Sequence, residues 1–256
     1  MYIERTLEMF LKKATNQFPV TLVTGTRQVG KTTILQHLGK TKRTYVTLDD
    51  PALADLAKTE PALFLQRFQA PLFIDEIQYA PELLPYIKIA VDKDRKNNMF
   101  WLTGSQQFQL MQGVTESLAG RVGIVNLLGL SFKEQQGQAS KAIPFLPTIK
   151  QLRQGQKISG TLSLQDIYAL IWRGMFPAIA LDSSIDRDLF YRSYIQTYLQ
   201  RDVRQLANVG DEGTFLRFFF FFSSKKGQLL NLLYLARNAE ISVTTAKGWL
   251  SIFEVS

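Results

Sequence analysis

Gly25-Thr26-Arg27-Gln28-Val29-Gly30-Lys31-Thr32 is the stretch on which the fold turns. It satisfies the spacing Gly-x-x-x-x-Gly-Lys-Ser/Thr, and its setting agrees with that pattern. The strand-like run Pro19 to Thr24 leads into it, and apolar residues at helical spacing, Ile34, Leu35 and Leu38, lead out towards a stop near Gly39. A glycine turn between a strand and a helix lets backbone N–H groups curl around phosphate oxygens, and the helix N-terminus adds partial positive charge. On this reading residues Gly25, Thr26, Arg27, Gln28, Val29, Gly30, Lys31, Thr32 and Thr33 cradle a nucleotide. Lys31 reaches the β- and γ-phosphates, and the Thr32 hydroxyl holds magnesium.

Working outward, strand-like and helical segments alternate: Thr44 to Leu48, helical Ala52 to Phe68, the buried run Leu72 to Ile74, helical Glu82 to Val91, and Met99 to Thr103. Strands separated by helices of this length need crossovers, so the expected fold is α/β, a P-loop NTPase parallel sheet covered by helices. Ahead of it, Ile3, Leu7, Phe10 and Leu11 stand at helical spacing. Leu72-Phe73-Ile74-Asp75-Glu76 delivers two adjacent carboxylates at a strand end, the Walker B arrangement. Asp75 is expected to hold the metal, while Glu76 orients or deprotonates an attacking water.

Met99 to Thr103 is expected to lie beside that strand, bringing Thr103, Ser105 or Gln106 near the γ-phosphate. Ser105 is the preferred sensor; its alternative role is as cap of the following helix. Arg121 is a candidate for stabilising phosphate charge in cis or from a neighbouring subunit of a homo-oligomer, with a surface arginine as the alternative. No Asn-Lys-x-Asp base-reading sequence occurs, which favours ATP over GTP. Glu76 beside Asp75 argues for hydrolysis rather than phosphorylation of a small molecule. His37, the one histidine, is assigned a solvated or packing role.

Beyond Gly123 to Leu128 the character changes. Lys141 to Leu162 is richer in Pro, Gly, Gln and Lys, and everything after it reads as helix: Leu164 to Trp172, Asp186 to Leu206, Gly213 to Phe222, Leu229 to Ala239 and Val243 to Val255. The expected organisation is a P-loop core over 1–135, a linker and helical lid over 136–210, and an incomplete helix-turn-helix or winged-helix-like module over 211–256. In that module Ser242 is expected to cap the second helix, with Val243, Thr244, Thr245 and Lys247 facing a groove if DNA is bound. Glu240 stands where a turn glycine is usual. Five consecutive phenylalanines, Phe218 to Phe222, cover every face of a helix, so some must be exposed or covered by a partner.

These residues also resemble a known family, prokaryotic AAA-like ATPases with a carboxy-terminal domain of unknown function. The matching pieces are Thr26 to Thr32, Leu48-Asp49-Asp50, Ile74-Asp75-Glu76-Ile77-Gln78 with Pro81, Leu102 to Gln106, Ser117 to Arg121, Phe176-Pro177, Tyr198 to Arg204 and Thr245-Ala246-Lys247. The resemblance implies an AAA-type core, a helical lid and a winged-helix-like module. Family members extend into a further domain, so it also implies a truncated chain. Met175 replaces the second glycine of a Gly-Gly-Phe-Pro pattern.

Composition restricts the remaining possibilities. The 256 residues include 30 Lys and Arg against 22 Asp and Glu, a net charge of +8 that permits a polyanionic partner such as DNA. The absence of cysteine removes disulfides, zinc fingers and thiol catalysis. With no basic-then-apolar leader and no apolar run of membrane length, the expectation is a cytoplasmic protein without a membrane partner.

Overall fold

The computed structural model describes residues 2–39, 43–104, 113–114, 116–142, 148–149, 153, 162–198, 212–225 and 227–255. Its centre is a five-stranded sheet made of β1 (Val20–Thr24), β2 (Thr44–Thr47), β3 (Leu72–Asp75), β4 (Phe100–Gly104) and β5 (Val122–Asn126), in the order β2-β3-β4-β1-β5. Every pairing is parallel. The expected crossovers are therefore present, and β4 lies between the strand that feeds the glycine loop and the strand that delivers the carboxylates.

Side-chain alternation divides the core into two layers. Val20 and Leu22, Leu72 and Ile74, and Phe100 and Leu102 enter one cluster, with Leu83, Leu84 and Ile87 of α5 (Leu83–Asp94). Val23, Phe73 and Trp101 enter the other, with Leu11 of α1 (Glu8–Gln17) and Ile34 and Leu35 of α2 (Lys31–Gly39). Because Asp75 and Thr103 follow Phe73 and Trp101 by two residues, the same alternation turns both towards the α2 layer. That placement builds the site.

The helical run expected over 52–68 is two helices, α3 (Pro51–Thr59) and α4 (Pro61–Arg67). Glu60 between them has φ −132° and ψ 57°, because the residue before a proline is driven out of the helical region, and Pro61 then takes the first position of the next helix. Asp50 caps α3 by accepting from the Ala52 N–H at 2.9 Å. After β5 come α6 (Phe132–Gln135), α7 (Leu164–Arg173), α8 (Pro177–Leu181) and α9 (Arg187–Tyr198). No helix among the described residues is long and apolar enough to cross a membrane.

Two compact units divide near Arg187 and Asp188. The first helices of the expected lid belong to the first unit, where the Leu130 N–H donates to the Met175 carbonyl at 2.7 Å. In the second unit lie α10 (Glu212–Ser224), α11 (Leu232–Ala239) and α12 (Val243–Val255). Its described residues contain no strand, so the winged part of the expected module is not seen there. Glu240 takes the left-handed turn at φ 57°, and Ser242 Oγ accepts from the Thr245 N–H at 3.0 Å.

The phenylalanine run resolves residue by residue. Phe218 is fully buried among Leu235, Ala236, Ala239 and Ala246, with its ring 5.6 Å from that of Trp249, while Phe220 is 58% exposed. Phe218→Ala should cost the second unit about 3–5 kcal/mol through lost burial and a cavity. Phe220→Ala should stay within about 0.5 kcal/mol, and urea unfolding of the two variants checks the contrast.

Candidate nucleotide site

The loop between β1 and α2 owes its shape to three residues with positive φ: Gly25 at φ 141°, Gln28 at 62° and Gly30 at 94°. A side chain at Gly25 would stand 2.2 Å from the Leu127 carbonyl oxygen, so the first glycine is required by space as well as by angle. Gln28 accepts the conformation at a cost of roughly 1–2 kcal/mol. Such alternation of backbone conformation makes a concave nest of N–H groups suited to an anion.

Lys31, only 5% exposed, folds back across this loop. Its Nζ donates to the carbonyls of Gly25 at 3.1 Å and Thr26 at 3.0 Å. Thr32 Oγ1 donates to both oxygens of Asp75, at 2.9 and 3.0 Å, across 43 residues of sequence. The hydroxyl that follows Lys31 and the first carboxylate of the Leu72–Glu76 run are thus brought together.

Asp75 is held from two further sides. Thr103 Oγ1 donates to Asp75 Oδ1, and Tyr45 on β2 donates from its phenol to Oδ2 at 3.0 Å. Burial and the Asp75 charge push the Tyr45 phenol up to about 12. Thr103, fully buried, also accepts the Glu76 N–H at 3.0 Å, so one hydroxyl holds the Asp75 carboxylate and the Glu76 backbone. Glu76 leaves the strand in the left-handed conformation at φ 57°, and its Oε2 accepts from Gln78 Nε2.

Sequence reasoning named Thr103 only as one of three polar candidates and missed Tyr45. The signal for Tyr45 was its register: it pairs with Phe73 on β3 and so shares the face of Asp75 two residues on. Ser105 lies outside the described residues. Arg121 is described, and the structure does not bring it to the loop. It precedes β5 and its carbonyl accepts the Val20 N–H at 3.2 Å, at the end of the sheet where the strands begin, whereas the loop follows Thr24 where β1 ends. Five residues at about 3.3 Å each separate the two edges by roughly 16 Å. There Arg121 binds Asp92, Nε to Oδ1 at 2.6 Å, so a role in cis at this loop is ruled out by position. His37 packs, its ring stacked 3.7 Å from that of Tyr2.

Magnesium prefers a few hard oxygen ligands and retains waters and phosphate oxygens for the rest. The Thr32 hydroxyl and the Asp75 carboxylate meet that need, and no group of three or more acidic or histidine side chains among the described residues offers a fuller protein cage. Beside Gly30 and Thr33 opens a cleft of about 100 Å³, walled by Tyr2, Ile3, Val29, Leu130, Pro177 and Leu181.

Residues 17–136 match the family model of an AAA domain, and residues 164–256 match that of a domain of unknown function. Uncharacterized proteins of Mycobacterium bovis and Mycobacterium tuberculosis are each 30% identical over 241 residues, which is 94% of this chain and 48% of theirs. The chain thus spans about half the length of these relatives. Among solved structures, the Walker-type ATPase of Pyrococcus abyssi aligns over 95% of this chain and 94% of its own at 15% identity, with a TM-score of 0.49. The RuvB Holliday junction branch migration motor of Thermotoga maritima aligns over 97% and 87% at 19% identity, with a TM-score of 0.43.

Proposed function

We propose, for a chain that carries an AAA domain over residues 17–136 followed by a domain of unknown function over 164–256, that it binds ATP with magnesium and hydrolyses it. The meeting of Thr32 with Asp75, next to a Lys31 folded onto the glycine loop, is the observation that carries this reading. Gly25 to Thr33 supply backbone and side-chain donors to the phosphates, and Lys31 meets the charge of the β- and γ-phosphoryl groups. Thr32 and Asp75 would hold the ion, which would supply positive charge against the phosphate oxygens. Glu76 takes the proton of the attacking water, fixed in place by its N–H on Thr103. The cleft between Tyr2 and Leu181 is walled mainly by apolar side chains, as a purine base requires.

Ser105 remains the proposed polar sensor, now with Thr103 as a neighbour in sequence whose position is known. Arg121 is proposed to act only towards a nucleotide on a neighbouring subunit. Hydrolysis is proposed to move the helical carboxy-terminal module, and the exposed Thr244 and Lys247 near the start of α12 make DNA a permitted partner of that module.

One observation favours a second reading, a nucleotide switch with little turnover: Gln78 occupies an oxygen of Glu76 that a water-activating base needs. Calorimetric ATP binding and steady-state turnover of the purified chain, each with magnesium and with excess chelator, test both. Magnesium-dependent turnover is expected. Binding without turnover would select the switch, and no binding of any nucleotide would overturn both readings.

A further inference from the structure

Arg5 has no part in the chemistry just described, yet it is among the most buried charged side chains of the described residues. It lies 6% exposed in the segment before α1, paired through Nε with Glu134 Oε1 at 3.2 Å, and the Glu134 side chain is 5% exposed. A buried ion pair forfeits so much hydration that it persists only where its remaining hydrogen-bonding groups are also satisfied. Here they are. Nη1 donates to the Val29 carbonyl at 2.9 Å, and Nη2 to the carbonyls of Leu128 at 2.7 Å and Gly129 at 3.2 Å. Glu134 in turn accepts the N–H groups of Thr6 and Ser131, each at 2.7 Å. Burial pushes the Glu134 carboxyl upward; the Ser131 and Thr6 N–H groups and the Arg5 charge more than reverse this and hold it below its ordinary value.

The Val29 contact is the informative one, because Val29 belongs to the glycine loop. A trans peptide is planar, with its C=O and N–H pointing in opposite directions, so whatever fixes the Val29 carbonyl also aims the Gly30 N–H. Arg5 grips that carbonyl from outside the loop. Its grip is anchored on Glu134 and on the backbone leaving β5, so the loop is braced against the sheet through a planar fork that a lysine ammonium cannot reproduce.

We propose that Arg5, anchored by Glu134, is a positioning residue of the phosphate loop, holding the Val29–Gly30 peptide so that its N–H faces the bound phosphates. This rests on the reading of Gly25 to Thr32 as a phosphate loop. Inorganic tripolyphosphate with magnesium is the suitable probe, because it fills the phosphate positions without touching the cleft that Arg5 also borders.

Arg5→Lys is expected to bind both ATP and tripolyphosphate about tenfold more weakly at temperatures where it is fully folded. Glu134→Gln, which leaves the Val29 contact in place, is expected to lower the thermal midpoint while changing affinity less than about threefold. By linkage, tripolyphosphate must strengthen the brace it depends on, so hydrogen exchange of the Thr6 amide in the wild-type chain should slow when the probe binds. That measurement stands even if Arg5→Lys fails to fold. Unchanged affinity in folded Arg5→Lys, affinity losses that merely track the midpoints of both variants, or Thr6 exchange indifferent to tripolyphosphate would each overturn the proposal. If the wild-type chain binds neither ATP nor tripolyphosphate, the phosphate-loop reading itself fails, a result that the other outcomes cannot imitate.

Discussion

Lys31→Ala is expected to lose ATP affinity by about two orders of magnitude while the fold survives. The ammonium donates to the Thr26 and Gly25 carbonyls at 3.0 and 3.1 Å. When a nucleotide enters, the same group meets the phosphate charge. A hydrogen bond to a charged group contributes roughly 1.5–3 kcal/mol, and each 1.36 kcal/mol is a factor of ten, so removing it lowers affinity about 10²-fold. Alanine is a good helix former at the first position of α2, and the core beneath is built from Ile34 and Leu35 rather than from Lys31. The thermal midpoint without nucleotide should therefore move little. Calorimetric titration with ATP alongside thermal unfolding checks both halves; affinity within threefold of wild type would remove Lys31 from the phosphate site.

Much of this architecture was legible in the chain because local and global preferences agree. Each strand of the α2 layer alternates, so Phe73 predicts the facing of Asp75 and Trp101 that of Thr103. The glycine loop announces itself because backbone angles such as φ 141° at Gly25 restrict what can stand there. Arg121 shows a different limit: its place was deducible, since a residue just before a strand parallel to β1 must lie at the opposite edge from a loop just after β1. Motif proximity obscured that geometry. Pro61 likewise signalled the break between α3 and α4 that the apolar pattern concealed.

Other features could not be read in advance. Arg5 and Glu134 are 129 residues apart, and each resembles a surface charge until the fold brings them together. The spacing of Ile3, Leu7, Phe10 and Leu11 suggested helix from the start, but α1 begins at Glu8, and the residues before it serve as the brace on the loop. Helical period carries no information about whether a segment bonds to itself or to a distant carbonyl. Tyr45 was hidden for the same reason, since its partner is known only once β2 and β3 are in register.

Glu76→Gln separates binding from chemistry. The substitution preserves side-chain shape, and the backbone feature that fixes the residue, its N–H on Thr103 at 3.0 Å, does not involve the side chain. The carboxylate that meets Thr32 belongs to Asp75, which the variant retains with its Tyr45 and Thr103 donors. ATP affinity should therefore stay within about threefold. What is lost is an oxygen able to take a proton, and general-base catalysis contributes typically about 10²–10⁴ in rate, so kcat should fall into that range below wild type with KM little changed. Comparing the variant with Lys31→Ala sharpens the assignment: one should bind and not turn over, the other should barely bind. Equal losses of affinity in both would show that Glu76 shapes the site rather than acting in it, and would move the water-activating role elsewhere. Undiminished turnover in Glu76→Gln would leave the Gln78 contact as a merely structural link and end the proposed mechanism.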